Sequence, residues 1–362
     1  MAEQWASDDS GLTRFGYLVD GAYETVAPEV FEHVLRQVFL ADRAFESDEI
    51  ISELGETSAT IPIDCVWALF DAVLLSEPAY RMDVLSTFLE LSRSGRVHTF
   101  ALAYDALPAL SPWIFPRSLL RREIDIYFQW ISNHESVAFI SDEIKQQFES
   151  RLRRRPYLNA TVCPLGSDGL GYRGYSTAGH GRQIVALGTV EPKKRYPLIL
   201  ETYDALRRDG TDVELKIFGR AGVESPEFLE SLRRRADADV GFSWSENPTD
   251  QMITQALESA LFSMFIGTEE GYGLPALESL ALGAPVIVSA DLPCLKNLPS
   301  HGQMRLAEVT GPVVLEAARQ AADEEFNDGL RMAIQHLPLP SWQGFAGSLR
   351  DWIESSCAVP LN

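Results

Sequence analysis

Glu269-Glu270-Gly271-Tyr272-Gly273-Leu274-Pro275-Ala276-Leu277-Glu278 runs through Ser279-Leu280-Ala281-Leu282 to Gly283-Ala284-Pro285-Val286-Ile287-Val288. Gly271 and Gly273 permit tight backbone angles and close approach of a ligand. Pro275 suits the first position of a helix, where its missing N–H costs nothing. Gly283 is a residue that ends helices, and Pro285 prevents continuation. Val286-Ile287-Val288 reads as a buried strand. With a strand expected over 261–266, the order is strand, glycine loop, short helix, strand. A helix start offers unpaired N–H groups and a partial positive charge, which suit an anion such as a diphosphate. The dipole contributes only about 0.3–1 kcal/mol at an exposed site, so a diphosphate needs side-chain cations too. Glu278 is expected in the first helical turn, able to accept from a ribose diol. Glu270 is placed to face a sugar. The same residues also describe ordinary capping of a surface helix.

Outward from that stretch, the chain alternates. Strands are expected at 71–76, 97–103 and 137–140 in a first α/β region over residues 12–165, with Gly16-Tyr17-Leu18-Val19-Asp20-Gly21 as its opening strand and turn. Ser141 is an N-cap, with Asp142 and Glu143 in the first turn. Residues 167–182, rich in Gly, Ser and Tyr, read as a linker. The second region has strands at 184–188 and 213–218, the latter followed by Gly219 and Arg220. A helix over 226–235 is capped by Ser225. A strand follows at 240–244, then a helix over 248–260 with Asn247 as N-cap. A last helix is expected near 341–355. The expected domains are therefore 1–166, a linker 167–182, 183–340, and 341–362 as a terminal helix.

Composition bounds the function. The 362 residues suggest two domains, and 46% apolar content supports ample cores. A net charge of −21 argues against nonspecific nucleic-acid binding. No apolar run reaches 18 residues, and the acidic N-terminus does not read as a signal peptide. Cys65, Cys163, Cys294 and Cys357 form no Cys-x-x-Cys pair, as expected of reduced thiols in a cytoplasmic protein. Two basic clusters stand out: Arg117, Arg121 and Arg122 beside Trp113, and Arg151, Arg153, Arg154 and Arg155. They read either as a contact to an anionic membrane or lipid-diphosphate acceptor, or as solvated helix edges. Asp237-Ala238-Asp239 has the spacing of a metal-binding Asp-x-Asp, but it follows three arginines at a helix end and reads as a surface loop. The six histidines lack metal-ligand spacing, and no metal or other cofactor is expected.

The pattern Glu-Gly-Tyr-Gly-Leu-Pro-x-x-Glu-Ser-x-x-x-Gly-x-Pro-Val-Ile resembles the signature of retaining glycosyltransferase family 4, of the glycosyl transferases group 1 type. Glu270 and Glu278 match the ends of its Glu-x7-Glu element. Ile184–Lys194 resembles the strand and loop that open the family's second domain, and Ser341-Trp342 its C-terminal segment. The resemblance implies the GT-B fold: α/β, with two Rossmann-like domains facing a cleft and a C-terminal helix packing back on the first. It implies that Glu278 holds ribose hydroxyls and that Glu270 lies at the donor sugar. Gly271, Tyr272, Gly273 and Leu274 would meet the phosphates and sugar, with Gly188, Thr189, Gly219 and Arg220 also placed at the donor site.

The family neutralises the diphosphate with an Arg one residue, and a Lys six residues, after a glycine. After Gly188 stand Thr189 and Lys194, so the Arg is missing; Lys193 is its substitute by analogy with a subgroup carrying Pro-Arg-Lys. Many relatives carry His-Asp at a cleft-facing strand end where this chain has Tyr104-Asp105, which puts a histidine-assisted step in doubt. Asp105 is carried as a catalytic candidate with Glu270 and Lys194, or else as a turn former. Trp244 can stack on the base or simply pack.

The implied activity is a metal-independent hexosyltransferase (EC 2.4.1.-) in surface-polysaccharide or glycoconjugate synthesis. GDP-mannose is the first donor to try, with a glycan or lipid-linked acceptor. The implied place is the cytoplasm, with peripheral contact at the inner face of the membrane and a partner transferase also open. The alternative is a catalytically silent GT-B module that stabilises a partner protein.

Overall fold

The computed structural model describes residues 15–19, 22–27, 30, 59–62, 65–76, 82–115, 122–171 and 181–358. The chain divides into two units: Met1–Leu165 with Ser341–Asn362, and Gly166–Pro340. Asp20, Gly21, Arg117, Arg121 and residues 172–180 of the expected linker lie outside the described residues.

Unit 1 carries two sheets. Strands β1 (Phe15–Val19), β2 (Ala22–Val26) and β3 (Ala59–Pro62) form an antiparallel meander. The strand expected at Gly16–Val19 therefore exists but does not open a parallel sheet. Val19 pairs with Ala22, and two intervening residues are far too few for the crossover that a parallel partner requires. Strands β4 (Ala72–Leu75), β5 (His98–Ala103), β6 (Ser136–Phe139) and β7 (Asn159–Val162) form a parallel sheet in that order. Helix α1 (Met82–Ser94) connects β4 to β5, and α2 (Arg122–Asn133) connects β5 to β6. Helix α3 (Asp142–Gln147) starts at Ser141, whose Oγ accepts from Ile144 N at 3.2 Å. The strands are short apolar runs, as a sheet covered on both faces requires; Phe100, Leu102, Val137 and Phe139 are all buried.

The basic cluster at 151–155 is in part structural. Arg153 is buried, donating to Glu135 Oε2 at 2.5 Å and to the carbonyls of Ser132 and His134 at 3.0 and 3.1 Å. Arg155 reaches the other oxygen of Glu135 at 3.2 Å. Arg153 spends its charge on a helix C-terminus and a carboxylate, so it is not available to a membrane.

Unit 2 is a six-stranded parallel sheet with helices on both faces. In chain order its elements are β8 (Gln183–Leu187), α4 (Tyr196–Arg208), β9 (Glu214–Phe218), α5 (Pro226–Ala238), β10 (Phe242–Ser245) and α6 (Asp250–Glu258). Then come β11 (Ala260–Phe265), α7 (Leu274–Ala281), β12 (Val286–Ser289), β13 (Gln303–Leu306), α8 (Gly311–Ala322) and α9 (Glu324–Ile334). The strand order is β10-β9-β8-β11-β12-β13. Along β8, Ile184 and Ala186 join one core cluster, with Tyr196, Ile199 and Leu232; Val185 and Leu187 join the other, with Leu257 and Leu282. That is the period of two expected of a strand buried on both faces.

Two boundaries differ from the sequence expectation. β10 starts two residues after Val240, which is fully exposed; Asp239 Oδ1 accepts from Gly241 N at 3.0 Å and holds a turn there. α6 is capped by Thr249, not Asn247: its Oγ1 accepts from Met252 N at 3.2 Å. Residues 167–171, expected as linker, are anchored to unit 2. Ser167 donates to the Pro340 carbonyl at 2.8 Å, and the Leu170 carbonyl accepts from Thr254. The buried Arg331 on α9 donates to the carbonyls of Gly283, Ala260 and Leu261. It ties the end of α7 to the start of β11, with its charge at the negative end of the α7 dipole.

Helix α10 (Trp342–Cys357) belongs to unit 1 and starts on Ser341, whose Oγ accepts from Gly344 N at 3.0 Å. Trp352 Nε1 donates to Asn159 Oδ1 on β7 at 3.0 Å, and its ring meets Phe100 edge-on at 5.1 Å. Trp352→Phe keeps an aromatic ring but removes that donor. It is expected to cost about 1–2 kcal/mol and to lower the melting temperature of unit 1 by a few degrees. An unchanged melt would show that the helix is held by other contacts.

Candidate active site

The strand order of unit 2 reverses between β8 and β11: β9 and β10 extend one way, β12 and β13 the other. At such a switch point the loops leaving the carboxyl ends of the two central strands diverge, and a crevice opens between them. The loops in question are 188–195 after β8 and 266–273 after β11, the two segments that the sequence singled out. They are pinned together by Thr268 N, which donates to the Lys193 carbonyl at 2.8 Å.

On the β11 side, Gly273 is the N-cap of α7 with φ 94°. A Cβ there would fall 2.5 Å from Leu292 Cδ1, so glycine is required both by the backbone angle and by the close approach of that side chain. Cys294 steadies the turn from beneath: its N donates to the Tyr272 carbonyl at 3.0 Å and its Sγ contacts the Gly273 carbonyl at 3.2 Å. The amides of Gly271, Gly273 and Leu274 have no partner among the described residues. They are the unsatisfied donors that a helix start leaves.

Helix α7 begins at Leu274, so Pro275 is its second residue and Glu278 lies beyond its first turn. This corrects the expectation that Glu278 falls in the first helical turn. Its carboxylate is half-buried and makes no hydrogen bond or ion pair among the described residues. Burial pushes its pKa up to about 7, and the nearby Asp250 carboxylate adds to the rise. A carboxylate held out of water without donors is costly. Glu278 is thus an acceptor to which the described residues supply no donor.

On the β8 side, Lys193 and Lys194 lie in a 3-10 turn (Pro192–Lys194), which ends at Arg195 in the left-handed conformation with φ 56°. Lys194 Nζ lies 2.7 Å from both carboxylate oxygens of Glu270, across the switch point. Lys193 Nζ lies 3.4 Å from Glu191 Oε1. Thr189 and Arg220 sit on adjacent loops laced by two backbone bonds: Val190 N to the Arg220 carbonyl at 2.9 Å, and Gly222 N to the Val190 carbonyl at 3.0 Å. Gly219 rests directly on the Gly188 carbonyl. The Arg220 side chain is exposed. Trp244 Nε1 donates to the Gly219 carbonyl at 2.8 Å, and Arg233 lies over its ring at 5.3 Å, so Trp244 has a packing role here.

The structure thus brings Gly188, Thr189, Lys193, Lys194, Gly219, Arg220, Glu270–Leu274 and Glu278 to one edge of unit 2. Asp105 lies in unit 1. Its Oδ1 accepts from Leu107 N at 2.9 Å, which is the turn-forming role; Tyr104 donates to the Ser76 carbonyl at 2.9 Å. Asp239 accepts from Arg207 and Gly241 N, which makes the Asp237–Asp239 segment structural. Sequence reasoning missed Gly267, Tyr196, Leu292 and Cys294. Tyr196 donates to the Gly188 carbonyl at 2.5 Å, and burial drives its phenol pKa well up. The position of Gly267 just after a strand was a readable signal; the other three are defined only by tertiary packing.

The chain has the GT-B fold. The fold is shared with sucrose-phosphate synthase from Thermosynechococcus elongatus, at a TM-score of 0.62 and 14% identity over 86% of this chain and 79% of that one. Residues 176–328, most of unit 2, match the model of the family described as Glycosyl transferases group 1. Among curated proteins it is similar to the serotype-specific mannosyltransferase WbdA of Escherichia coli. The identity is 22% over 67% of this chain, which spans about one third (32%) of that protein's length. It is also similar to the GDP-mannose-dependent alpha-(1-6)-phosphatidylinositol dimannoside mannosyltransferase of Mycobacterium tuberculosis, with 23% identity over 73% of this chain and 70% of that protein. Among the described residues no helix is long and apolar enough to cross a membrane.

Proposed function

We propose that the chain is a retaining hexosyltransferase. It moves a sugar from a nucleoside-diphosphate donor to a hydroxyl of a glycan or glycolipid at the cytoplasmic face of a membrane. The observation that carries the reading is Glu278. A half-buried carboxylate without donors among the described residues fits a cis-diol, which offers two O–H groups to its two oxygens. Four residues before it, about 6 Å along the helix axis, lies Leu274, first of the amides placed for a diphosphate. The printed names of two relatives support mannose as the sugar and GDP as the carrier.

In this reaction the diphosphate leaves as the acceptor hydroxyl attacks from the same face. Lys194, Lys193 and the amides of Gly271, Gly273 and Leu274 stabilise the charge that develops on the leaving phosphate, so the charge-neutralising role of a divalent ion is filled by the chain itself. Glu270 orients the sugar, and no carboxylate nucleophile is assigned. The second reading is a silent module that stabilises a partner transferase. The occupation of Tyr104 and Asp105 in local hydrogen bonds favours it.

A panel of GDP-, UDP- and dTDP-sugars scored by thermal shift tests the donor reading. GDP-mannose is expected to stabilise the protein, by about 2.7 kcal/mol at 100 times its dissociation constant. A flat response to the whole panel would sink it. Donor binding without turnover on any glycan acceptor would favour the silent module.

A further inference from the structure

Lys194 and Glu270 form a seated contact. The ammonium is equidistant from the two carboxylate oxygens, at 2.7 Å each, and the two side chains are only 20% and 15% exposed. Each end rests against a glycine. A Cβ on Gly267 would fall 2.5 Å from Glu270 Oε1, and one on Gly188 would fall 3.3 Å from Lys194 Cε. The exits of the two switch-point strands are thus cut away to admit this pair. In the free protein the lysine best placed for a diphosphate is already neutralised, and so is the carboxylate best placed for a sugar.

We propose, on the reading of this chain as a nucleotide-sugar transferase, that donor binding proceeds by exchange of partners at this pair. The diphosphate takes Lys194 from Glu270, and the released carboxylate becomes available to the hexose. No bond is made or broken covalently in this step; one ion pair replaces another. Glu270 therefore competes with the diphosphate for the lysine in the free protein, lowering donor affinity by the fraction of molecules in which the pair is closed. In return, the carboxylate is deployed only when a diphosphate is present. A free sugar does not open the pair, and a nucleoside monophosphate, which lacks the outer phosphate, does not reach the lysine.

Isothermal titration of the full chain with GDP, UDP and GMP tests this. The variants are Glu270→Gln, Glu270→Ala (which leaves no amide to hold the lysine) and Lys194→Met, with circular dichroism to verify folding. Both Glu270 variants are expected to bind the nucleoside diphosphate about tenfold more tightly than wild type while GMP affinity stays the same. Lys194→Met is expected to bind the diphosphate at least tenfold more weakly. Diphosphate binding that is unchanged or weakened in both folded Glu270 variants overturns the exchange but leaves the donor reading standing. Equal tightening for GMP also overturns it, because that is a general charge effect. A wild-type protein that binds neither diphosphate overturns the donor reading and the exchange together.

Discussion

At pH 8, Glu278→Gln is expected to melt above the wild type and to bind the donor nucleotide more weakly. Glu278 has no hydrogen-bond donor among the described residues, and its pKa rises from 4.5 to about 7, chiefly through burial. The sign follows from linkage. Between pH 4.5 and 7 the folded protein keeps a proton that the unfolded chain has lost, so this residue makes stability fall as pH rises through that window. Above pH 7 the penalty is fully present, and below 4.5 it is absent. The rise corresponds to on the order of 3 kcal/mol at 1.36 kcal/mol per pH unit, and partial exposure reduces the expected gain to about 1–2 kcal/mol. For a domain of this size that is about 2–8 °C. Glutamine carries no charge at any pH, so the two proteins should melt alike near pH 4 and diverge toward pH 8. A constant difference, or a variant less stable at pH 8, would show that Glu278 is satisfied in the free protein.

The same substitution removes a charged acceptor from the diol. One charge-assisted hydrogen bond is worth about 1.5–3 kcal/mol, so affinity should fall by at least tenfold. Binding to the wild type at pH 7 should also release about half a proton, since a group with pKa about 7 is half protonated there and the ligand favours the ionised form. That release appears as a buffer-dependent heat, and it should vanish in the variant. Stability gained and binding lost at one residue is the pattern of a site that is strained until its ligand arrives.

Much of unit 2 was legible because its signals are local. Strands buried on both faces leave short apolar runs, and Ser225 announces a helix start that its side-chain hydrogen bond realises, as Ser141 does in unit 1. The Glu270–Glu278 span was legible for the same reason: its turn, helix and stop are written in consecutive residues. The pairing of the opening strand was out of reach because a strand such as Phe15–Val19 has the same composition in a meander as in a parallel sheet. Only its partner β2, two residues on, settles the matter. The Lys194–Glu270 contact was out of reach. It joins residues 76 positions apart, and the sequence assigned each of them to a different part of the ligand. The carboxylate charge near Glu278 likewise comes from Asp250 on α6, which no local pattern ties to α7.

Gly219→Ala is expected to be the most damaging single-methyl change in unit 2. The residue has φ 148°, a region essentially closed to side chains. A Cβ there would fall 2.1 Å from the Gly188 carbonyl oxygen and 2.5 Å from its carbon, both backbone atoms that cannot swing aside. Gly219 is also fixed on its other sides. Its amide donates to the Ser245 carbonyl at 2.9 Å and its carbonyl accepts from Trp244 at 2.8 Å. Relief must therefore come from the loop that begins at Gly188, whose carbonyl holds Tyr196 and whose far end carries Lys194. The expected cost is above about 3 kcal/mol, with loss of nucleoside-diphosphate binding in whatever fraction folds. Gly210→Ala separates the two causes. Gly210 also has a positive φ, 90°, but a Cβ there meets nothing within 4 Å. Its cost should be backbone strain alone, about 1 kcal/mol. Chemical denaturation of both variants reads the difference. Equal losses would mean that the Gly219–Gly188 contact is not what holds the two loops at the switch point, and that the backbone angle alone explains the glycine.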